Sequence, residues 1–385
     1  MSLVALSIDA LLPAIPEISA HIGIDTENES QRLITMIFLG LGFGQLIFGP
    51  LSDCFGRKLM VYIGFLVFVI ATFVCLYTKS IEGMILGRIF QGVGLSSQRS
   101  IALSIIRDSY SGDYMAKIMS IIVMFFILVP VVAPTLGQWM LSVFNWQSIF
   151  YINLIFGCIV MVWFWNRQEE TLPTSKRVKF TAMVFVNGTK AFFKYKSAIA
   201  YTLVSGFITG SFMVYLSTSQ QVFQEQYKLA EMFPYIFACL AVSVGLATFL
   251  NSRFVERFGM WRIAFFAAIA YTTISLLYVI FFSSGKNPNI FILFTFFALQ
   301  FFSVGFLFGN LRALAMEPLG HIAGIGAAIN GFVSTVMAVP IADIIGSYVK
   351  TSVLPLFIGF SLFGLLSVFT FLIMKKHQEI DLSRK

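Results

Sequence analysis

The sequence predicts an all-α membrane protein of twelve spanning helices, arranged as two pseudo-symmetric sets of six. Three observations carry that expectation. Of 385 residues, 58% are hydrophobic and only 11% charged, whereas soluble domains carry about 25% charged residues. The apolar runs reach the ~20 residues that a helix needs to cross a bilayer. Finally, a charged, glycine-bearing turn occurs twice between long apolar stretches. Gly49-Pro50-Leu51-Ser52-Asp53-Cys54-Phe55-Gly56-Arg57-Lys58 is echoed by Ser252-Arg253-Phe254-Val255-Glu256-Arg257-Phe258-Gly259, with Asp53 matching Glu256 and Gly56 matching Gly259. Such a turn at the same place in two hydrophobic halves is expected of a duplicated membrane transporter.

Helices are the natural elements, because backbone groups in lipid must find partners within the segment. A barrel would show short alternating segments, and the sequence has none. The expected spans are 1–20, 33–51, 59–78, 83–106, 117–141 and 147–166, then 198–220, 232–251, 262–283, 290–312, 322–345 and 353–374. They give an N-terminal half at 1–166, a linker at 167–197, a C-terminal half at 198–376 and a tail at 377–385.

Span 1 carries Asp9. No basic residue leads into it, so it does not read as a secretory signal. Asp9 lies only about 12 Å along a helix from Met1, and the first helix is therefore expected to lack roughly ten residues upstream. Span 4 carries Arg88, Gln91 and Arg99; Arg88 and Gln91, three residues apart, share a face. Span 5 contains Pro130, Pro134 and Gly137, which bend a helix and permit close packing. Spans 7 and 10 are aromatic, and Phe207, Tyr215 and Gln300 are candidates to line a pocket for lipophilic molecules. With 44 Phe in the chain, such stripes equally describe core or lipid-facing surface. Span 11 ends near a further acid, Asp343.

Charge sets the orientation. With loops assigned alternately to the two sides, nineteen of the 26 Lys and Arg residues fall on the side of both termini. Seven of these are in the linker: Arg167, Lys176, Arg177, Lys179, Lys190, Lys194 and Lys196. Only Arg32, Lys79, Lys228, Lys286 and Lys350 fall opposite. This asymmetry places both termini in the cytoplasm and accounts for the +8 net charge without a nucleic-acid partner. Cys54, Cys75, Cys158 and Cys239 are scattered singly, and imply neither a disulfide frame nor a metal site. There is no GxxxxGK[ST] nucleotide loop, and no nucleophile–base pair for an enzyme. No cofactor is expected.

The 49–58 segment resembles the signature between helices 2 and 3 of the major facilitator superfamily, through Gly49, Leu51, Asp53, Gly56, Arg57 and Lys58. Several motifs resemble one branch in particular, the bicyclomycin-resistance (Bcr/CflA-type) drug:proton antiporters. These are Ile8-Asp9-Ala10-Leu11-Leu12-Pro13-Ala14-Ile15-Pro16, Gly44-Gln45-Leu46 running into Gly49-Pro50-Leu51-Ser52-Asp53, and Arg88-Ile89-Phe90-Gln91-Gly92-Val93-Gly94. On span 5, Pro130-Val131-Val132-Ala133-Pro134-Thr135-Leu136-Gly137 resembles the antiporter motif. Asn145-Trp146-Gln147-Ser148-Ile149-Phe150 resembles the start of helix 6 in that branch.

The resemblance implies the major facilitator fold and a bacterial inner-membrane exporter, expected to act as a monomer. Small amphipathic compounds would leave in exchange for protons, with the lipid bilayer as the other partner. It links Asp9 and Arg88 to proton coupling. As read from the residues, Asp9 is either a cavity acid that loads protons or an interfacial acid that snorkels. Arg88 is either a proton-linked cation or a structural arginine on backbone carbonyls. Arg99 lines the cavity or pairs with Asp9, and Asp343 is either an extra coupling acid or a surface group. Asp53, Gly56, Arg57 and Asp108, with Glu256 and Arg257 in the second copy, form either a conformational latch or a solvated basic loop. In the latch, Arg57 pairs with Asp108 and Asp53 faces a helix N-terminus of the other half. An importer or metabolite exchanger on the same scaffold is the alternative function.

Overall fold

The computed structural model describes residues 2–24, 27–110, 129, 132–177 and 189–383. The first span is not one helix. It runs as α1 (Ser2–Asp9), a 3-10 turn (Leu12–Ala14) and α2 (Ile15–Ile22), and ends at Gly23 in the left-handed conformation, φ 70°. This corrects the continuous helix expected over 1–20. Pro13 and Pro16 have no N–H to donate, so the ladder lapses where each proline opens a new helical segment.

Longer helices follow: α3 (Glu27–Phe55), α4 (Arg57–Tyr77) and α5 (Ile81–Ser109). α5 is started by Ser80, whose hydroxyl accepts the Gly83 N–H at 3.2 Å. Helix α6 covers 132–143, and α7 is Gln147–Arg167. Much of the expected span 117–141, Pro130 included, lies outside the described residues.

In the second part of the chain α8 (Lys196–Gln220) continues into a π turn, Gln221–Gln226. Then come α9 (Phe233–Phe258), α10 (Met260–Phe281), α11 (Ile290–Met316), α12 (Ala323–Gly346) and α13 (Leu354–Ser383). α13 carries helix through most of the segment expected as a tail at 377–385.

Among the described residues ten segments are long and apolar enough to cross a membrane. α5 is not one of them, although its 29 residues would extend about 43 Å. Its Gln91, Gln98, Ser96, Ser97, Ser100 and Ser104, with Arg88 and Arg99, keep it too polar by composition, and Arg88, Arg99 and Asp108 belong to the site described below. The chain is thus an all-α, multi-spanning membrane protein.

The residues divide into two compact units, Met1–Phe185 with Glu231–Ala238, and Val186–Ala230 with Cys239–Lys385. In the first, α5 packs against both α3 and α4. Small residues bring the backbones together: Gly40 sits on the Ile89 carbonyl and Gly92 on the Ile37 carbonyl, each too close for a methyl group. Between spanning helices, van der Waals packing of this kind replaces the hydrophobic effect. In the second unit α8 packs on α12, and α10 on α11 and α13. Aromatic rings fill that core, with Tyr278 and Phe357 stacked at 3.8 Å and 14°.

Candidate functional site

The repeated turn has one backbone conformation in both copies. Gly56, between α3 and α4, has φ 99° and ψ 155°; Gly259, between α9 and α10, has φ 79° and ψ 147°. Only glycine adopts this region without strain, which explains the residue at both positions.

The side chains around the two copies differ. Arg57 is buried, with 2% of its surface exposed. Its Nε donates to Asp108 Oδ2 at 2.9 Å. Its Nη1 donates to Ser52 Oγ and pairs with Asp53 Oδ1, both at 2.6 Å. Asp53 reaches this pair from one helical turn earlier and keeps 43% of its side chain exposed. One buried guanidinium therefore ties the end of α3, the start of α4 and the end of α5 together. In the second copy Glu256 and Arg257 are exposed, and the Arg257 guanidinium lies 5.3 Å from the centroid of the Phe258 ring. A side chain at Gly259 would meet open space.

Sequence reasoning missed one member of the first copy. Glu170, three residues past α7, accepts the Arg57 N–H at 3.0 Å through Oε1 and the Lys58 N–H at 3.1 Å through Oε2. Its Oε1 also accepts the Leu172 N–H at 3.0 Å. Burial pushes the Glu170 carboxyl up. The three backbone donors and the nearby Arg177 guanidinium outweigh that, and hold it below the usual carboxylate range. A methyl at Gly56 would lie 2.6 Å from Glu170 Oε2 and 2.8 Å from Arg177 Nη2. A signal was present in the sequence. α4 opens after a glycine, on Arg57-Lys58, with no acid in its first turn. Its free N–H groups therefore needed an acceptor from elsewhere.

Two buried charges lie deeper in this unit. Asp9 is the last residue of α1, at the break in the first span, with 5% of its surface exposed. Arg88, on α5, is 1% exposed. Arg88 Nε donates to the Leu33 carbonyl at 2.8 Å, and Nη1 donates to the Ser7 carbonyl at 3.2 Å and to Gln91 Oε1 at 2.9 Å. Gln91 Nε2 donates in turn to Thr72 Oγ1 at 2.8 Å. Arg88 thus joins α1 and α3 directly, and α4 through Gln91. Among the described residues no ion pair joins Asp9 to Arg88, and Nη2 of Arg88 has no partner. On α6, Ala133 and Pro134 are buried, and Gly137 packs directly on the Ala10 carbonyl. Arg99 is half-buried on α5.

The other candidates belong to the second unit. Tyr215 and Gln300 are 2% and 0% exposed. The Tyr215 ring lies 4.5 Å from Phe301 and 5.3 Å from Phe297. The Gln300 amide lies beside the Tyr271 hydroxyl and makes no hydrogen bond of good geometry among the described residues. Phe207 stacks on Phe363 at 5.4 Å, and Asp343 is half-buried on α12. Among the described residues no cluster of His, Cys, Asp and Glu could hold a metal.

Residues 1–342 match the Major Facilitator Superfamily. The chain is 28% identical over 357 residues to an uncharacterized MFS-type transporter, YdgK, of Bacillus subtilis, covering 90% of this chain and 87% of that one. It is 29% identical over 261 residues to a bicyclomycin resistance protein homolog of Haemophilus influenzae, covering 67% of this chain and 65% of that protein. Its fold is similar to a crystal structure of the D-xylose-proton symporter, with a TM-score of 0.73 at 14% identity over 97% of this chain and 94% of the other. It is similar as well to the human organic anion transporter MFSD10, with a TM-score of 0.67 at 15% identity over 96% of each. The chain is a multi-pass membrane transporter rather than an enzyme, and it belongs to the major facilitator superfamily.

Proposed function

We propose that this transporter exports small amphipathic compounds in exchange for protons, by alternating access between halves at 1–166 and 198–376 joined by the linker 167–197. It does so as a monomer of twelve spanning helices in a bacterial inner membrane, with both termini in the cytoplasm. The observation that carries the reading is Asp9. It is a buried acid at the break in the first span, without a hydrogen bond or ion pair among the described residues. An intramembrane acid costs roughly 2.5–3.5 kcal/mol on insertion scales, and so marks an ion path when it is not neutralised by a neighbour. Broken helices are where transporters of this kind bind their coupling ions. The similarity to the bicyclomycin resistance protein homolog supports the drug-exporting branch.

In this reading Asp9 exchanges the proton with the cavity. Arg88 fixes the frame around it and supplies the positive charge that answers its protonation, and Asp343 is a secondary acid. Gln91, Arg99, Phe207, Tyr215 and Gln300 contribute to the substrate cavity. The network of Asp53, Gly56, Arg57 and Asp108 is the latch of the cytoplasmic mouth, with Glu256 and Arg257 its weaker counterpart in the second copy. The α6 motif, Pro134 and Gly137 with Pro130 before it, seals the cavity against leak.

The similarity in fold to a sugar–proton symporter keeps proton-coupled import as the second reading. Everted vesicles, energised to an acidic interior and given a panel of antibiotics and metabolites, separate the two. Antiport predicts compound-dependent loss of the pH gradient with uptake of the compound into the vesicle. Proton movement together with the compound, out of the vesicle, establishes symport instead.

A further inference from the structure

We propose that Gly137 is a positioning residue for Asp9: by letting α6 lie directly on the Ala10 carbonyl, it fixes the interrupted backbone that presents the Asp9 carboxyl. The proposal rests on the proton-coupling reading of Asp9, and it concerns how that group is held.

The first span is weakest at Asp9. Four residues on, where a helix would return an N–H to the Asp9 carbonyl, stands Pro13, which has none. The last helical bond of α1 is a long one, from the Ala10 N–H to the Leu6 carbonyl at 3.2 Å. The next local bond belongs to the 3-10 turn, from the Ala14 N–H to the Leu11 carbonyl at 2.9 Å. Ala10 keeps its own N–H bond, but among the described residues no backbone N–H reaches the carbonyls of Asp9 and Ala10. On the C-terminal side of the acid, tertiary contacts therefore hold the chain.

Two such contacts flank the acid. On its N-terminal side Arg88 Nη1 holds the Ser7 carbonyl at 3.2 Å. On its C-terminal side Ala10 is 1% exposed, and its carbonyl faces the Cα of Gly137. A methyl placed on Gly137 would overlap the Ala10 oxygen, and would stand 3.0 Å from its carbonyl carbon and 3.3 Å from its Cα. All three atoms are backbone, so no side chain can swing aside. The segment carrying Asp9 has to move instead. Of the other crowded glycines described in this unit, Gly157 reaches the first span only at the Leu3 side chain, 3.3 Å from the site of a methyl, and not at its backbone. Gly94 meets Gly64 and Phe68 between α4 and α5, with its nearest contacts at 2.5 Å. That makes it a matched control for general loss of packing.

A displacement of about 1 Å at a reacting group is enough to cost on the order of 10²-fold in rate. The test uses the full chain in proteoliposomes at one fixed pH, with dicyclohexylcarbodiimide as the probe and the modification rate of Asp9 followed by mass spectrometry. Proton–substrate exchange is measured on the same preparations. For Gly137→Ala the proposal expects the Asp9 modification rate to change by about tenfold and kcat to fall by at least about tenfold, with KM little changed. Gly94→Ala should lower thermal stability while leaving the Asp9 rate within about twofold of the parent. If Gly137→Ala does not fold, Ala10→Gly keeps the contacting atoms but frees the backbone that carries them, and should also shift the modification rate. Equal Asp9 rates in the parent and in the folded variants overturn the proposal, as does an equal change in Gly94→Ala. A changed Asp9 rate in a protein whose exchange survives Asp9→Asn would leave the positioning role standing and remove the coupling role.

Discussion

Glu170 caps the helix that Arg57 begins: its carboxylate accepts the Arg57 N–H at 3.0 Å across 113 residues of sequence. The same carboxylate takes the Lys58 N–H, so the α4 N-terminus receives an anion where its dipole favours one. The arrangement fastens the chain after α7 to the turn between α3 and α4. Arg57 then turns its side chain the other way, to Asp53 and Asp108.

Removing that cap has a defined cost. Glu170→Ala is expected to destabilise the protein by about 0.5–2 kcal/mol, as for other lost N-caps, read as a lower unfolding temperature in detergent. Because the folded carboxyl is held below its ordinary value, its contribution is fully present above the unfolded pKa. It is lost as pH falls through the folded one. The parent should therefore lose its advantage over Glu170→Ala on acidification and keep it at neutral pH. A constant difference across that range contradicts the assignment.

The two copies of the turn predict an asymmetry. Gly56→Ala adds backbone strain and drives a methyl into Glu170 and Arg177, whereas Gly259→Ala adds strain alone. Strain at such a position costs on the order of 1–3 kcal/mol. Thermal unfolding should show the larger loss for Gly56→Ala, and the gap should narrow when Glu170 is also replaced by Ala.

The Arg57–Asp108 contact is testable by a double-mutant cycle. Arg57→Gln, Asp108→Asn and their combination should give a coupling energy of about 0.5–3 kcal/mol. If the network is the latch, the two single variants also change the rate of access to the cytoplasmic mouth, read by cysteine labelling. Additive stabilities with unchanged labelling would contradict both statements.

Gln300 offers a test in the opposite direction. Its amide is fully buried beside the Tyr271 hydroxyl and makes no hydrogen bond of good geometry among the described residues. An apolar group of similar shape therefore forfeits no well-made bond and avoids the desolvation cost of the amide. Gln300→Leu is expected to keep or raise the melting temperature. A loss of transport in that stable variant would assign Gln300 to the substrate cavity, while unchanged transport would return it to packing.

Hydropathy made most spans legible, because lipid admits few alternatives to an apolar helix. The repeated acid-x-Phe-Gly also located both turns, since their conformation demands glycine. Three features were harder to read. Pro13 and Pro16 were visible, yet the length of the apolar run suggested a continuous first helix. Glu170 has no local pattern pointing to Arg57, because the contact is made by tertiary folding between distant segments. The partners of Arg88 are backbone carbonyls of Ser7 and Leu33, which every residue possesses, so no spacing rule could single them out.

The most direct test of the central claim is compound-driven proton flux in everted vesicles, comparing the parent with Asp9→Asn and Asp9→Glu at matched expression. The account predicts that Asp9→Asn abolishes compound-dependent proton release and Asp9→Glu retains part of it. Undiminished proton release in Asp9→Asn would contradict the claim that this carboxylate couples transport to protons.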